Sequence, residues 1–284
     1  MADESGVRGV VRRVIAPAKL TVTLRVQGVR PDGYHLLAAE MVSLDLADEL
    51  RIDPGGSGLR ISAEAGTRAD DLSAGPDNLV RQALTLAGRS AGVELTKRIP
   101  VRGGLGGGSA DAGAVLRWAG LDDPAAAASL GADVPFCVRG GRALVGGIGE
   151  QVEPLPFEPR SFVLLVPPLG VDTGAVYRAW DRLSSQLGRP WHEPPNDLTR
   201  AAIAVEPRLA DWRRIFAGAT GRDPVLAGSG STWFVEGDAA DLRMDGRRAL
   251  AYRDQEARVV VAHAVPEHWG GPDEALETST DRRD

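Results

Sequence analysis

The chain has 284 residues with 33 basic and 39 acidic side chains, a net charge of −6 that argues against a general nucleic-acid binder. Its composition, 43% hydrophobic and 25% charged, fits a globular protein with a well-buried core, as one large domain or two small ones. No run approaches about 18 apolar residues, and residues 1–14 carry charges without an apolar centre, so neither a membrane span nor a signal peptide is predicted. Cys137 is the only cysteine, and His35, His192, His263 and His268 lack ligand spacing. Intrachain disulfides and cysteine-built zinc sites are excluded, no metal centre is expected, and a reducing cytoplasm is the expected compartment. Of the 33 basic residues only Lys19 and Lys97 are lysine. Lysine offers a compact, rotatable ammonium where arginine offers a planar fork, which singles out these two positions.

In chain order, residues 10–14 and 20–26 read as strands, the second alternating Leu20, Val22, Leu24 and Val26 with polar side chains. Ala16-Pro17-Ala18-Lys19 lies between them and brings Lys19 to the start of a half-buried strand. Pro31-Asp32-Gly33 is turn chemistry that delivers Tyr34 and His35 at a loop end. Residues 41–46 and 49–52 are further strand material. Asn78 is placed to cap a helix running to about Gly88, with Leu79, Val80, Ala83, Leu84 and Ala87 on one stripe. Residues 94–99 read as a short strand, 110–119 as a helix, and 142–145 with 150–153 as a strand pair. Pro154, Pro156 and Pro159 mark a boundary between a first domain, 1–158, and a second, 159–266. In the second, 161–167, 232–236 and 257–265 read as strands, and 173–187, 197–204, 207–217 and 239–252 as helices. That pattern predicts an α+β layer of the split β-α-β kind. Residues 267–284 are polar and acidic and are predicted to be a disordered tail.

Five of the six residues 103–108 are glycine, after a strand and before a helix. Without Cβ atoms such a loop can turn several N–H groups toward one anion, and the following helix adds its positive end. The alternative is a plain glycine linker. No Gly-Lys-Ser/Thr closes the loop and the Rossmann spacing is absent, so it is neither of those nucleotide motifs. Lys97, just upstream, either reaches a nucleotide or is a solvated strand lysine. Asp133, in Leu-Gly-Ala-Asp-Val-Pro, is a helix-end cap or a partly buried functional acid, and its local sequence favours the cap. Tyr34 and His35 fit a surface turn pair, and residues 228–232 form a second glycine-rich turn that connects elements or closes over a ligand.

Pro17-Ala18-Lys19, the loop 103–109 and Gly228-Ser229-Gly230-Ser231-Thr232, in this order, resemble the GHMP small-molecule kinase superfamily. Asp32-Gly33-Tyr34-His35, Lys97-Arg98-Ile99-Pro100, Leu130-Gly131-Ala132-Asp133-Val134-Pro135-Phe136 and Asn196-Asp197-Leu198 are similar to one branch of it. That branch phosphorylates the C2 hydroxyl of 4-diphosphocytidyl-2-C-methyl-D-erythritol in non-mevalonate isoprenoid biosynthesis. The resemblance runs over residues 16–264. It implies a ribosomal-S5-like N-terminal domain and a ferredoxin-like C-terminal domain with a cleft between them. It makes Asp133 the catalytic base and Lys19 its cationic partner. Pro100, Val101, Arg102, Gly103, Gly104, Leu105, Gly106, Gly107, Gly108, Ser109 and Ala110 would hold the phosphates of ATP, which enters with Mg²⁺, and Lys97 would lie along the nucleotide. Thr21, Tyr34, His35, Thr173 and Tyr177 match substrate positions, the Tyr34-His35 pair at the cytidine end. Partners are then a small molecule and ATP, without nucleic acid or membrane, in a monomer or weak homodimer. The alternatives are a relative acting on another small alcohol, or a ligand-binding relative without turnover. Three features depart from the branch: Thr21 stands where it has asparagine, Ala110 where it has serine, and residues 120–130 are shorter.

Overall fold

The computed structural model describes residues 10–64, 67, 72–270 and 274–275. Two long antiparallel strands, β1 (Arg12–Val29) and β2 (His35–Asp53), are joined through Pro31-Asp32-Gly33. Gly33 takes φ +88°, its N–H donates to Arg30 O, and the Arg30 guanidinium meets the Asp32 carboxylate at 2.7 Å, so the turn closes on its own residues. The interruptions expected at residues 16–19 and 47–48 are absent. Pro17, which has no N–H, sits at a register irregularity where Pro17 faces Ala47 and Lys19 faces Ser43, and the bulge absorbs it without ending either strand.

Then follow β3 (Leu59–Ala63), α1 (Leu79–Leu86), β4 (Gly92–Lys97), α2 (Gly107–Ala119), α3 (Pro124–Ala128), α4 (Val134–Arg139), β5 (Arg142–Gly147) and β6 (Gln151–Pro154). Asn78 caps α1 as expected, its side chain accepting from Val80 N at 2.9 Å. The short segment before Asp133 still makes one helical turn, α3, because Asp123 accepts from the N–H groups of Ala125 and Ala126. The second half holds β7 (Ser161–Val166), α5 (Thr173–Leu187), α6 (Thr199–Val205), α7 (Arg208–Thr220), β8 (Val225–Leu226), β9 (Trp233–Glu236), β10 (Ala249–Tyr252), β11 (Gln255–Val265) and β12 (Glu274–Ala275). Residues 239–252 do not form the expected helix. Gly237, Arg243 and Gly246 all take positive φ, which breaks helical geometry, and residues 249–252 pair with β11 as a hairpin. Of the tail 267–284, Glu267 is ion-paired with Arg139 at 3.1 Å, residues 274–275 pair with β1, and 271–273 and 276–284 lie outside the described residues.

The architecture is mixed α and β, and among the described residues the strands form one connected sheet. On the edge of β2 opposite β1, residues 37–42 pair with β5, 43–44 with β11 and 49–53 with β4. Through β11 the sheet continues into β7, β9 and β8. Two apolar cores result. One packs Val115, Leu116 and Phe136 of α2 and α4 against Leu20, Leu50 and Leu95; the other packs Trp180, Trp212 and Phe216 of α5 and α7 against Val163, Trp233 and Val259. β7 serves both: Phe162 and Leu164 point to the first core, Val163 and Leu165 to the second, which is why its sequence is an unbroken apolar run.

The halves are stapled at Asn196-Asp197. Leu24 N donates to Pro195 O at 2.9 Å and Asp197 N to Leu24 O at 3.0 Å, extending β1 by a bridge to the second half. The buried Asp197 carboxylate accepts from Val26 N at 2.9 Å, Glu193 N at 2.7 Å and His192 Nδ1 at 2.8 Å. Asn196 Nδ2 donates to Leu226 O at 2.8 Å and Gly228 O at 2.7 Å, and its Oδ1 accepts from Leu198 N at 2.9 Å. Asn196→Ala strands two carbonyls and an N–H in the interior. Urea denaturation of this variant should show a loss of about 3 kcal/mol.

Candidate active site

Strand β4 ends at Lys97 and the chain enters the glycine loop, whose last residue, Gly106, is the N-cap of α2 at φ +67°. The helix begins at Gly107, three residues before the expected Ala110, and no side chain caps its first N–H groups. They therefore face the cleft with the positive end of the helix. Two glycines are required by contact. At Gly104, φ +78°, a Cβ would lie 2.4 Å from Ala227 O and 2.7 Å from Gly230 O; at Gly106 it would lie 2.7 Å from the Lys19 Cγ. The loop is pinned at both ends by backbone bonds, Lys19 N to Leu105 O and Thr232 N to Gly103 O, each 3.1 Å. That pinning excludes a slack linker.

A cleft of about 560 Å³ opens over this loop, and Lys19, Thr21, Asp133, Thr173, Tyr177 and Ser229 line it with residues 100–109. Lys19 is 5% exposed; its ammonium stands 3.3 Å from the Asp133 carboxylate and donates to Thr21 Oγ1 at 3.1 Å. Asp133 occupies the N-cap position of α4, yet its side chain makes no capping bond and turns to Lys19. The cap reading favoured by the local sequence is thereby replaced. Ala110 is fully buried in the first core, so it offers the cleft no side-chain polar group. The nearby Cys137 thiol is pushed up to about 12 by burial and stays protonated at neutral pH.

Lys97 is not solvated. It is 3% exposed, and its ammonium lies under the first turn of α2, 3.3 Å from where a Gly107 Cβ would stand. It is bonded to the carboxylates of Asp48 and, at 2.6 Å, Asp111. Asp48 also accepts from Ile99 N at 2.8 Å, while Asp111 Oδ1 is buried without a hydrogen-bond partner in the described structure. Burial would lower the Lys97 ammonium, but Asp111 and Asp48 outweigh it and hold its pKa raised. Burial holds the Asp111 carboxyl well above its ordinary range.

The Tyr34-His35 pair separates. Tyr34 is 59% exposed at the hairpin tip, whereas His35 starts β2 and turns inward against α5. Its ring lies 4.6 Å from that of Tyr177 and 5.7 Å edge-on from Trp180, and its Nε2 is 2.8 Å from Asp181 Oδ1. Burial raises the Tyr177 phenol above its ordinary value, so it remains a neutral ring surface. Thr173 and Ser229 meet through their hydroxyls at 2.9 Å, closing the cleft between α5 and the 228–232 turn.

No family model matches the chain. The 4-diphosphocytidyl-2-C-methyl-D-erythritol kinase of Paracoccus denitrificans (strain Pd 1222) is 41% identical over 274 residues, covering 91% of this chain and 94% of that protein. The chain belongs to the 4-diphosphocytidyl-2-C-methyl-D-erythritol kinase family. A crystal structure of a 4-(cytidine 5'-diphospho)-2C-methyl-D-erythritol kinase is similar over 88% of this chain and 98% of its own, at 32% identity and a TM-score of 0.63. A homoserine kinase from Cytophaga hutchinsonii, 17% identical with a TM-score of 0.58 over 95% of this chain and 98% of its own, shares the fold.

In this member of the 4-diphosphocytidyl-2-C-methyl-D-erythritol kinase family, sequence reasoning missed Asp48, Asp111 and Asp181. Two have a faint local signal, Asp111 standing between two alanines and Asp181 following Tyr177 by one helical turn, whereas Asp48, next to Glu49, has none. Lys97→Met leaves two buried carboxylates without their cation. Its stability should drop by about 3–5 kcal/mol. Because burial raises Asp111 above its ordinary 3.8, the folded state holds a proton that the unfolded state releases. Stability therefore falls as pH rises above that ordinary value; Lys97→Met also removes the charge that lowers Asp111, so the variant's deficit measured by denaturation should be larger at pH 8 than at pH 5.

Proposed function

We propose that the chain transfers the γ-phosphoryl group of ATP to the C2 hydroxyl of 4-diphosphocytidyl-2-C-methyl-D-erythritol, in the non-mevalonate route to isoprenoid precursors. The observation that carries this reading is the Lys19–Asp133 pair at 3.3 Å, in one cleft with an uncapped helix N-terminus and a pinned glycine loop. Phosphoryl transfer asks a protein mainly for positioning and charge stabilisation, so this short inventory is sufficient. The fold is then a ribosomal-S5-like domain, 1–158, and a ferredoxin-like domain, 159–266, with the cleft between them. Two apolar cores support two units, although Leu24 and Val26 of the first half pack into the second core and Phe162, Leu164, Phe234 and Ala262 of the second half into the first.

In the reaction, Asp133 accepts the proton of the acceptor hydroxyl as its oxygen attacks phosphorus. Lys19, 3.3 Å from that carboxylate, steadies the developing alkoxide. Thr21, whose oxygen already accepts from Lys19, has its O–H free to donate to the sugar alcohol. Residues 100–110 frame the triphosphate, and within them the backbone N–H groups of the glycine loop and the α2 dipole hold it, whereas Pro100 has no N–H and the Ala110 N–H is bonded to Gly106 O. Lys97, tied to Asp48 and Asp111, holds the first turn of α2 from below. Tyr34, His35, Thr173 and Tyr177 serve the acceptor end. Mg²⁺ would enter with ATP rather than as a resident ion. When bound, the ion neutralises phosphate charge.

Thr21 favours a second reading, a kinase for a different small alcohol, because a hydroxyl replaces an amide at the acceptor. Release of ADP at millimolar ATP and Mg²⁺, with the diphosphocytidyl alcohol beside homoserine, mevalonate and galactose, separates the two. The diphosphocytidyl alcohol alone should rise above background; turnover of none of the four overturns the kinase assignment.

Asp133→Asn removes the base and leaves the loop intact. The rate should fall by about 10²–10⁴-fold with ATP affinity retained, measured by steady-state kinetics and calorimetry. Lys19→Arg keeps the charge but not the room. Its stem passes where a Gly106 Cβ would be 2.7 Å away, and its Nζ lies 3.5 Å from the corresponding point on Gly228. A planar guanidinium overfills that channel, so kcat should drop at least about tenfold; near-normal kcat would make this lysine incidental.

A further inference from the structure

The geometry points to Arg117 as a positioning residue of the reaction: by bridging the backbones of α4 and β1 it sets the distance of Asp133 from Lys19. This inference rests on the reading of Asp133 as the base. Arg117 stands in the last turn of α2. Its Nη1 donates to Cys137 O, and its Nη2 donates to Ile15 O at 2.8 Å. Cys137 lies four residues after Asp133, and its own N–H closes that turn on Asp133 O at 3.1 Å. Ile15 lies four residues before Lys19 on β1. One planar guanidinium thus joins the two stretches of chain that carry the reacting pair. The three elements meet closely here. Gly113, one turn earlier on α2, is so near α4 that a Cβ on it would stand 2.7 Å from the Cys137 carbonyl carbon.

Among the described residues no carboxylate pairs with this guanidinium. Its Nε is buried without a hydrogen-bond partner, and burial lowers its pKa. Its charge is met instead by the carbonyl-rich C-terminal ends of α2 and α4. A desolvated cation with one donor unsatisfied costs stability, so packing alone does not account for it. The two ends of the bridge differ in their other supports. Lys19 is fixed independently, by its N–H to Leu105 O at 3.1 Å and by the pairing of β1 with β2. Asp133 opens the six-residue α4, its side chain makes no capping bond, and the segment before it supplies only the five-residue α3. Cys137 O belongs to the last turn of α4, where no intrahelical N–H reaches it, and Arg117 supplies the missing donor. Without that bond Asp133 is the end free to drift. A displacement of about 1 Å in a reacting group costs up to about 100-fold in rate.

The test compares Arg117→Met, Arg117→Lys, Asp133→Asn and Arg117→Met combined with Asp133→Asn, each in the full chain. Arg117→Met keeps an unbranched stem and removes every donor. Its kcat for the diphosphocytidyl alcohol should fall about 10–100-fold. Its KM for that alcohol and its ATP affinity by calorimetry should stay within about threefold, and the retained ATP affinity reports a folded protein. Arg117→Lys reaches one carbonyl at a time and should lie between the two; where the methionine variant does not fold, lysine takes its place in every comparison. In the Asp133→Asn background no base is left to place, so Arg117→Met should lower the residual rate by less than about threefold. A crystal structure of Arg117→Met should show the Lys19–Asp133 separation lengthened beyond 3.3 Å. An unchanged kcat, an equal loss with and without the Asp133 carboxylate, or an unchanged separation overturns the inference. Normal turnover by Asp133→Asn, or none by the unmodified protein, would instead sink the reading of the site, and the separation would still decide what Arg117 holds.

Discussion

Lys19 is threaded between two glycine turns, and the rest of the cleft is arranged around that passage. Its backbone N–H is bonded to Leu105 O, its stem runs beside Gly106, and its ammonium ends near Gly228. A single strand residue thus connects the glycine loop, the turn 228–232 and Asp133. The continuity of β1 makes this possible: had Pro17 ended the strand, Lys19 would lie on a loop end without a fixed direction. The bulge opposite Pro17 keeps the ladder going and aims the side chain at the cleft.

The two lysines of an arginine-rich chain solve opposite electrostatic problems. Lys97 is enclosed with two carboxylates, so three ionisable groups sit under the helix end that faces the cleft. Removing any one of them unbalances the others, and the low polarity of the interior makes that imbalance expensive. Lys19 instead meets a carboxylate that remains about one-third exposed. Solvent and ligand can reach Asp133, so its charge can change hands without a buried penalty. Arginine fits neither place. The space above Lys97 is closed by Gly107, and the channel of Lys19 by Gly106 and Gly228.

Legibility in the sequence followed the range of the interactions. The glycine loop, the Asn78 cap and helix α5 depend on residues within a few positions of one another, and each was recognisable from spacing alone. The partnership of Lys19 with Asp133 came only through family resemblance, since its local sequence favoured a helix cap. Asp48 pairs with Lys97 across 49 positions, and His35 with Asp181 across 146. No local period encodes such a pairing; it follows from the register of β2 against β1 and β4 and from the docking of α5. Residues 239–252 misled in the other direction. Ala239, Leu242, Ala249 and Leu250 suggest a helical stripe, but the Asp-Gly turn at 245–246 and pairing with β11 prevail.

The same long-range docking explains why the two halves are coupled so closely. Asn196 ties β1 to the backbone of Leu226 and Gly228, and Gly228 in turn bounds the space of the Lys19 ammonium. A shift of the second half relative to β1 would therefore move one wall of the Lys19 channel. Asp197 resists that shift, since its buried carboxylate is saturated by two backbone N–H groups and the His192 ring. Helix α5 belongs to the second core, yet it delivers Tyr177 and Thr173 to the cleft. The groups that line the cleft thus come from both cores, while the glycine loop is built on the first. The position of the α5 wall of the cleft relative to the glycine loop is set by how the cores dock, and the Asn196-Asp197 staple is the part of the interface least able to yield.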